Sequence, residues 1–286
     1  MMASRQSVLK RDDYLVDGAG DVDADSRMAP GHAPRSVAPE IVSLVAPGSY
    51  AADQYRTLRH AVDRLRLDNG LKVLAVTSPG PGDGKSITAL NLAGALAQSL
   101  DARILVVDAD LRRPSVAHYL GLDGLHTPGL VEAISDPRLE LRHVVRRFDG
   151  FNLSVLPAGT PQNAPYELLI SSRMEQLLTE ARRVYDCVLI DTPPLVPFPD
   201  CRILGRWADR FLVIVAAHKT PRKLLAEALN LLDPAKVVGV VFNGDDRPLS
   251  GHYGYYRYYN SPSRDRHAWW RRGRASRDRG DPPRSG

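Results

Sequence analysis

A glycine-rich loop between an apolar strand and a helix constrains the fold of this chain more than any other feature. The apolar run 71–77 leads into SPGPGDGKS at 78–86, and a helical pattern begins near Lys85. Glycines allow successive backbone N–H groups to turn inward around a phosphate, while the helix N-terminus and Lys85 contribute positive charge. The segment therefore predicts a phosphate-binding loop that holds a nucleotide.

The predicted nucleotide contacts are the loop residues and the first turn of the following helix. They are Gly80, Pro81, Gly82, Asp83, Gly84, Lys85, Ser86 and Ile87. The Ser86 hydroxyl is placed to bind Mg²⁺, so the expected ligands are ATP and Mg²⁺. The usual pattern has glycine five positions before the Gly-Lys pair, where this chain has Pro79. An ordinary turn before a helix is the alternative, and the carboxylates at neighbouring strands argue against it.

Short apolar runs alternate with helical patterns along the rest of the chain. The apolar runs, rich in Val, Ile and Leu, cover 71–77, 103–108, 152–156, 186–191, 211–216 and 237–242. The helical patterns cover 50–65, 85–100, 166–184 and 223–232. Strands that are apolar on both faces and separated by helices belong in a buried, mostly parallel sheet with right-handed crossovers. The predicted fold class is α/β, with a doubly wound sheet.

Three aspartates end two further apolar strands. RILVVDADLRR at 103–113 places Asp108 and Asp110 at a strand end, and CVLID at 187–191 ends with Asp191. Residues i and i+2 of a strand face the same side, and parallel strands present their carboxyl ends where ligands bind. Ser86 is suited to bind Mg²⁺ directly and Asp191 through water. A carboxylate that is left over can accept a proton from an attacking tyrosine or water. For any single aspartate at such a position, capping a turn or helix is the commoner role.

Composition divides the chain into three parts. Residues 1–38 mix Asp, Ser, Gly, Ala, Pro and Arg without apolar periodicity, which predicts disorder. Residues 39–243 predict one α/β domain that begins with an amphipathic helix near Tyr50. Residues 244–286 form a Gly-, Ser-, Pro-, Arg- and Tyr-rich tail that we expect to be flexible.

The formal net charge of +5 lies at the end of the tail. Residues 261–286 hold eight Arg against three Asp, so the rest of the chain is close to neutral. This indicates a basic tail rather than a basic domain face, and no specific nucleic-acid partner is expected. Three interpretations of the tail stay open: a solubilising segment, contact with an anionic membrane leaflet, or nonspecific nucleic-acid binding.

The sequence favours a cytoplasmic location. The longest apolar run, 211–217, is far shorter than the roughly 20 residues of a membrane span. Charged residues stand near the N-terminus where a secretory signal needs an apolar core. Cys187 and Cys201 are too few for a disulfide framework and lack zinc-ligand spacing, so we expect buried or half-buried thiols.

Taken in order, these motifs resemble the bacterial tyrosine kinases of capsule and exopolysaccharide systems. SPGPGDGKS resembles the family's Walker A loop, VVDADLRRP its Walker A′ motif and VLIDTPP its Walker B strand. The likeness covers about 41–259. It implies a P-loop NTPase of the deviant-Walker type, shared with partition ATPases, and an ATP-dependent protein-tyrosine autokinase that regulates polysaccharide synthesis or export.

The resemblance also implies roles for individual residues. The implied catalytic set is Lys85, Asp108, Asp110 and Asp191, with Asp108 assisting deprotonation of the tyrosine. The implied metal set is Ser86, Asp108 and Asp191. The residues matching the family's C-terminal autophosphorylation cluster are Tyr253, Tyr255, Tyr256, Tyr258 and Tyr259. A strand fragment or sticky loop is the alternative for those tyrosines.

Assembly and partners are likewise expectations from the resemblance. Asp53, Arg56 and Arg59 resemble the family's Glu-x-x-Arg-x-x-Arg oligomerisation helix, with Asp in place of the first Glu. The implied partners are further copies of the chain, in a ring, a transmembrane activator related to chain-length regulators, and a tyrosine phosphatase. The kinase would then be recruited to the inner face of the cell membrane. Two other functions fit the same loop: an ATP-hydrolysing positioning switch and a nucleotide-binding regulatory scaffold.

Overall fold

Seven strands of the described residues form one sheet. The computed structural model describes residues 37–99, 102–122, 128–148 and 151–245. The strands are β1 (Val73–Thr77), β2 (Ile104–Asp108), β3 (Arg146–Phe148), β4 (Leu153–Leu156), β5 (Cys187–Asp191), β6 (Arg210–Ala216) and β7 (Val237–Asn243). Their order is β3-β4-β2-β5-β1-β6-β7, and every pairing is parallel except that of β3 with β4. The prediction of a mostly parallel sheet is confirmed.

Ten α-helices connect or flank these strands within the described residues. They are α1 (Val42–Val45), α2 (Tyr50–Asn69), α3 (Lys85–Leu96), α4 (Val116–Tyr119), α5 (Leu130–Ser135), α6 (Leu141–Val144), α7 (Tyr166–Leu169), α8 (Ser172–Val184), α9 (Asp200–Leu204) and α10 (Arg222–Asn230). A 3₁₀ helix, Pro234–Lys236, precedes β7. None of the helices in the described part of the chain is both long and apolar enough to span a bilayer.

Helices cover both faces of the sheet, as the doubly wound prediction requires. Along β1, Val73 and Ala75 join the apolar cluster that contains the buried face of α8. Leu74 and Val76 belong to the opposite cluster, together with residues of α3 such as Leu90. Successive side chains of a strand point to opposite faces, so a strand buried on both sides is apolar at every position.

Two details of the predicted elements are wrong. The helix predicted over 166–184 is divided into α7 and α8, because the Ser171 hydroxyl accepts the Met174 N–H at 3.2 Å and so begins a new helix. The short strand β3 was missed because its two arginines and one phenylalanine carry no apolar alternation. It lies at the sheet edge, where such a polar strand is tolerated.

A buried asparagine fixes the N-terminal segment to the domain. Asn91 of α3 donates from Nδ2 to the carbonyl of Glu40 at 2.9 Å and accepts the Ser43 N–H at 2.9 Å. The two predicted buried thiols are also confirmed, since Cys187 and Cys201 are fully buried. Burial raises the pKa of Cys187 to about 12 and that of Cys201 to about 11, so neither is a nucleophile at neutral pH.

Candidate nucleotide-binding site

Strand register brings the predicted loop and carboxylates to one edge of the sheet. The phosphate loop, defined here as 78–86, joins β1 to α3. Val76 of β1 is paired with Asp191 of β5, and Asp191 is paired in turn with Asp108 of β2. Because all three strands run parallel, their last residues meet at the carboxyl edge beside the loop.

Lys85 is the positive centre of this edge. Its Nζ lies 2.8 Å from Asp110 Oδ2 and 3.7 Å from Asp191 Oδ1, and it donates to Ser86 Oγ at 3.3 Å. Burial opposes the charged form, but the carboxylates of Asp191 and Asp110 raise the pKa of Lys85 to about 12. The lysine is therefore protonated at neutral pH and supplies a fixed cation at the start of α3.

Asp191 is a fully buried carboxylate without hydrogen bonds in the part of the chain that the structure describes. Neither side-chain oxygen lies within hydrogen-bonding distance of a donor among these residues, although Lys85 Nζ lies 3.7 Å from Oδ1. Burial raises its pKa, since the charged form has lost water without full compensation. Unsatisfied buried oxygens beside the Ser86 hydroxyl fit a hydrated Mg²⁺, which takes few protein ligands and keeps several waters. No group of three acidic, histidine or cysteine side chains among residues 37–99, 102–122, 128–148 and 151–245 forms a metal cage by itself.

Asp108 has a different environment although it stands at the same edge. Its Oδ2 accepts the backbone N–H groups of Ser115 and Val116, both at 3.0 Å, and its Oδ1 accepts that of Asp110 at 3.3 Å. These bonds place it as a cap at the beginning of α4. Burial and the neighbouring Asp191 raise its pKa. Asp108 therefore has a structural role, the capping of α4, in addition to its predicted metal-binding and catalytic roles.

Two glycines give the phosphate loop its shape. Gly82 and Gly84 have φ values of +81° and +90°, which side chains rarely allow. Pro79, where the usual pattern has glycine, supplies its carbonyl to the Val196 N–H at 3.3 Å, and Ser78 supplies its carbonyl to the Leu195 N–H at 2.8 Å. The loop thus rests against the segment after β5, and the replacement of glycine by Pro79 does not prevent the turn.

A cavity of about 430 Å³ opens beside the loop. One wall is the phosphate loop with Lys85 and Ser86, and the other contains Asp110, Arg113 and Phe198. Of the three predicted carboxylates, Asp110 is the one that lines this cavity. The space is of the size that small-molecule sites occupy.

Arg112 fixes the wall opposite the loop. Its guanidinium donates to both oxygens of buried Asp200, at 2.6 and 3.3 Å, and to the carbonyl of Asn163 at 2.9 Å. It also lies over the Phe198 ring, 4.5 Å from the centroid. The sequence analysis includes Arg112 in the RILVVDADLRR motif but predicts no role for it. The acidic partner is 88 residues away in the sequence, so no local signal pairs them.

The predicted oligomerisation residues lie on α2, away from the loop. Arg56 contacts Asp53 and the Pro47 carbonyl, and Arg59 donates to Asp63 at 3.1 Å and to the Ala95 carbonyl at 2.8 Å. Their role in assembly stays a prediction. The tyrosine cluster at 253–259 lies outside the described residues.

Comparison with known proteins decides the family. Residues 71–230 match the family described as AAA domain. The tyrosine-protein kinase YwqD of Bacillus subtilis (strain 168) is 34% identical over 218 residues, which cover 76% of this chain and 90% of YwqD. The chain belongs to the bacterial tyrosine-protein kinase family. The resemblance seen in the Walker A, A′ and B motifs is thereby confirmed.

Other members of the family extend the comparison. The tyrosine-protein kinase ptk of Acinetobacter johnsonii is 36% identical over 214 residues, which are 74% of this chain but only 29% of ptk. The solved kinase domain of Escherichia coli ETK has 29% identity and a TM-score of 0.67, covering 77% of this chain and 85% of that chain. A ParA family ATPase from Chlorobium tepidum, with 20% identity, a TM-score of 0.52 and coverage of 65% and 80%, shares the fold alone.

Proposed function

We propose that this chain transfers the γ-phosphoryl group of ATP to tyrosines, with Mg²⁺, and so regulates polysaccharide synthesis or export. One observation carries the proposal. Asp110 and Asp191, the latter without a hydrogen bond among the described residues, lie beside Lys85 of the phosphate loop in a chain that belongs to the tyrosine-protein kinase family. The loop thus has a cation, which can bind phosphate oxygens, and carboxylates, which can bind a metal ion. This combination suits a metal-bound phosphate better than charge of one sign alone.

Each side chain of the site has a proposed task. The loop N–H groups, the N-terminus of α3 and Lys85 bind phosphate oxygens. Ser86 and Asp191, with Asp108 in the same set, hold Mg²⁺, which when bound neutralises part of the phosphate charge. Because phosphoryl transfer depends on positioning and charge more than on covalent chemistry, these residues supply most of the proposed rate enhancement.

The group that accepts the tyrosine proton has two candidates. Asp108 follows from the family resemblance, and its raised pKa favours proton uptake. Asp110 lines the cavity and lies 2.8 Å from Lys85. Separate Asp108→Asn and Asp110→Asn variants distinguish them through the rate of the chemical step. Asp108→Asn is also expected to disturb α4, because the amide keeps only one of the two oxygens that accept three backbone N–H groups.

The proposed acceptors are Tyr253, Tyr255, Tyr256, Tyr258 and Tyr259 of the chain itself. Each phosphorylated tyrosine carries about −1.5 to −2 charge, so several in a row repel one another. We infer that this repulsion ejects the tail and loosens an oligomeric ring held by Asp53, Arg56 and Arg59. A transmembrane activator and a tyrosine phosphatase complete the proposed cycle at the inner face of the membrane.

The test is a phosphotyrosine assay on the purified full chain with Mg-ATP and a cytoplasmic fragment of the membrane activator. The proposal expects signal from the wild type, none from Lys85→Ala, and none from a variant with all five tail tyrosines changed to Phe. Lys223→Ala, an exposed lysine on α10, is the matched control and should behave as wild type. Phosphate release without phosphotyrosine would instead indicate a positioning switch, and neither product would indicate a scaffold.

A further inference from the structure

Two residues that are distant in the sequence, one in a loop and one at the end of a strand, hold the outer flank of the phosphate loop. Asp83, near the tip of the loop, accepts the Gly80 N–H on Oδ2 at 3.1 Å. Its Oδ1 accepts the Thr220 hydroxyl at 2.6 Å, and its backbone carbonyl accepts Asn243 Nδ2 at 3.0 Å. Thr220 follows β6 and Asn243 ends β7, so one loop residue connects three segments of the carboxyl edge. We call Asp83, Thr220 and Asn243 the loop bracket.

One hydrogen bond joins the segment of Thr220 to Asn243, and another joins Thr220 to the end of β6. Ala217 donates its N–H to the Asn243 carbonyl at 2.8 Å, and Ala216 donates its N–H to the Thr220 hydroxyl at 3.1 Å. The Thr220 hydroxyl thus accepts one hydrogen bond and donates another. Its orientation is fixed, and so is the position of the Asp83 carboxylate that it holds.

Contact between the bracket and the loop is close at Gly84. A Cβ atom on Gly84 would lie 2.0 Å from Asn243 Nδ2, far inside any real contact. The Asn243 amide therefore occupies the space that a side chain in the loop would need. The phosphate loop is packed against the end of β7 without a gap, so its conformation depends on the position of Asn243.

The loop bracket determines where the negative charge of Asp83 lies. A carboxylate between Gly82 and Gly84 would repel a phosphate if it pointed into the loop. The cavity is lined by Gly82 and Gly84 but not by Asp83, whose carboxylate is occupied by Thr220 and the Gly80 N–H. The hydroxyl of Thr220 holds this negative charge on the outer side and leaves the loop N–H groups free for phosphate.

We propose that Thr220 and Asn243 are positioning residues that hold the phosphate loop, through Asp83, in its phosphate-binding conformation. The inference rests on the nucleotide binding in the proposed function and is independent of which group receives the phosphate. Neither residue lines the cavity beside the loop, so we expect them to act on the affinity of the loop rather than on the chemistry. The bracket also joins the loop to the root of the tail, because the tail begins directly after Asn243.

The experiment compares Thr220→Val with Thr220→Ser in the full chain. Valine keeps the volume and removes the hydroxyl, whereas serine restores the donor. Titration calorimetry measures affinity for Mg-ADP and for Mg-pyrophosphate, which has no base or sugar. We expect Thr220→Val to weaken both ligands by the same factor, about 10-fold or more for a hydrogen bond to a charged group. Thr220→Ser should lie within about three-fold of wild type.

The result that overturns the inference is Thr220→Val binding of both ligands with wild-type affinity. Loss of Mg-ADP affinity with unchanged Mg-pyrophosphate affinity would also overturn it, because a contact with the base would then explain the effect. If Thr220→Val fails to fold, Asn243→Ala provides the same test with the pyrophosphate readout. A wild-type chain that binds neither ligand would end the proposed function too, whereas the absence of phosphotyrosine alone leaves the bracket intact.

Discussion

Two aspartates at opposite ends of the sheet have opposite surroundings. Asp209 stands before β6 at the amino edge, where it accepts the N–H groups of Lys72 and Val73 at 2.9 and 2.7 Å. The Arg182 guanidinium donates two further hydrogen bonds to the Asp209 carboxylate, at 2.8 and 3.2 Å. Asp191 at the carboxyl edge is more deeply buried and has no hydrogen bond among the described residues. Asp209 has a full set of hydrogen bonds, whereas Asp191 has, within the described part of the chain, only the ion pair with Lys85 at 3.7 Å.

The difference also appears in the direction of the two pKa shifts. Burial acts to raise the pKa of Asp209, but the bonds from Arg182, Val73 and Lys72 bring it below the usual value. Burial raises the pKa of Asp191, and the approach of Lys85 offsets only part of this. A buried charge that is only partly compensated is typical of a functional site, whereas a charge with a full set of hydrogen bonds is typical of a structural one.

The largest expected effect is that of Asp191→Asn on activity. Removal of the charge that faces the proposed metal should reduce phosphotyrosine formation by about 100-fold or more, as for other electrostatic groups of active sites. The free energy of unfolding should fall little or rise, because a buried charge without hydrogen bonds is removed. The measurements are a phosphotyrosine time course and a urea titration. A clear loss of stability would place Asp191 in the same structural class as Asp209.

Asp209→Ala is the opposite half of the comparison. We expect a loss of about 2 kcal/mol in the free energy of unfolding, because an arginine and two backbone N–H groups lose a charged acceptor. Activity per folded molecule should stay within about two-fold of wild type, since the residue lies at the edge away from the phosphate loop. Chemical denaturation with a matched kinase assay checks both. A specific loss of activity in fully folded protein would contradict the division between the edges.

A smaller effect is expected at the start of α8. Ser171→Ala removes the acceptor for the Met174 N–H and should cost about 1 kcal/mol of stability, the usual magnitude for an N-cap. Thr is the matched control, because Ser171→Thr keeps the capping oxygen. The measurement is the same urea titration. Equal stabilities for Ala and Thr would show that the division of α7 from α8 does not depend on this cap.

Local sequence patterns predicted the carboxyl edge of the sheet, with the phosphate loop, better than the amino edge, with Asp209. The strands, the phosphate loop and the strand-end aspartates each have a signature within about ten residues, so 78–86, Asp108 and Asp191 could be placed without coordinates. The Asp209 shell joins Lys72 to a residue 137 positions later, and the loop bracket joins Asp83 to Asn243 across 160 positions. Such pairs depend on the order of the strands in the sheet, and local periodicity does not determine that order.

The same limit applies to the roles of equivalent residues. Position at a strand end does not by itself distinguish Asp108, Asp110 and Asp191, which are three carboxylates at one edge. The structure separates them into a helix cap, a partner of Lys85 and a residue without hydrogen bonds. Burial and backbone donors decide these differences, and both arise only when the loops after β2 and β5 are in place.

The central claim is that the carboxyl edge binds a metal-bound phosphate through Lys85 and Asp191. Its most direct test is the affinity of the full chain for ADP with and without Mg²⁺, measured by titration calorimetry on wild type, Asp191→Asn and Asp209→Asn. We predict that Mg²⁺ strengthens ADP binding at least 10-fold in wild type and Asp209→Asn, and that Asp191→Asn loses most of this gain. An equal dependence on Mg²⁺ in all three proteins, or no binding by the wild type, would contradict the account.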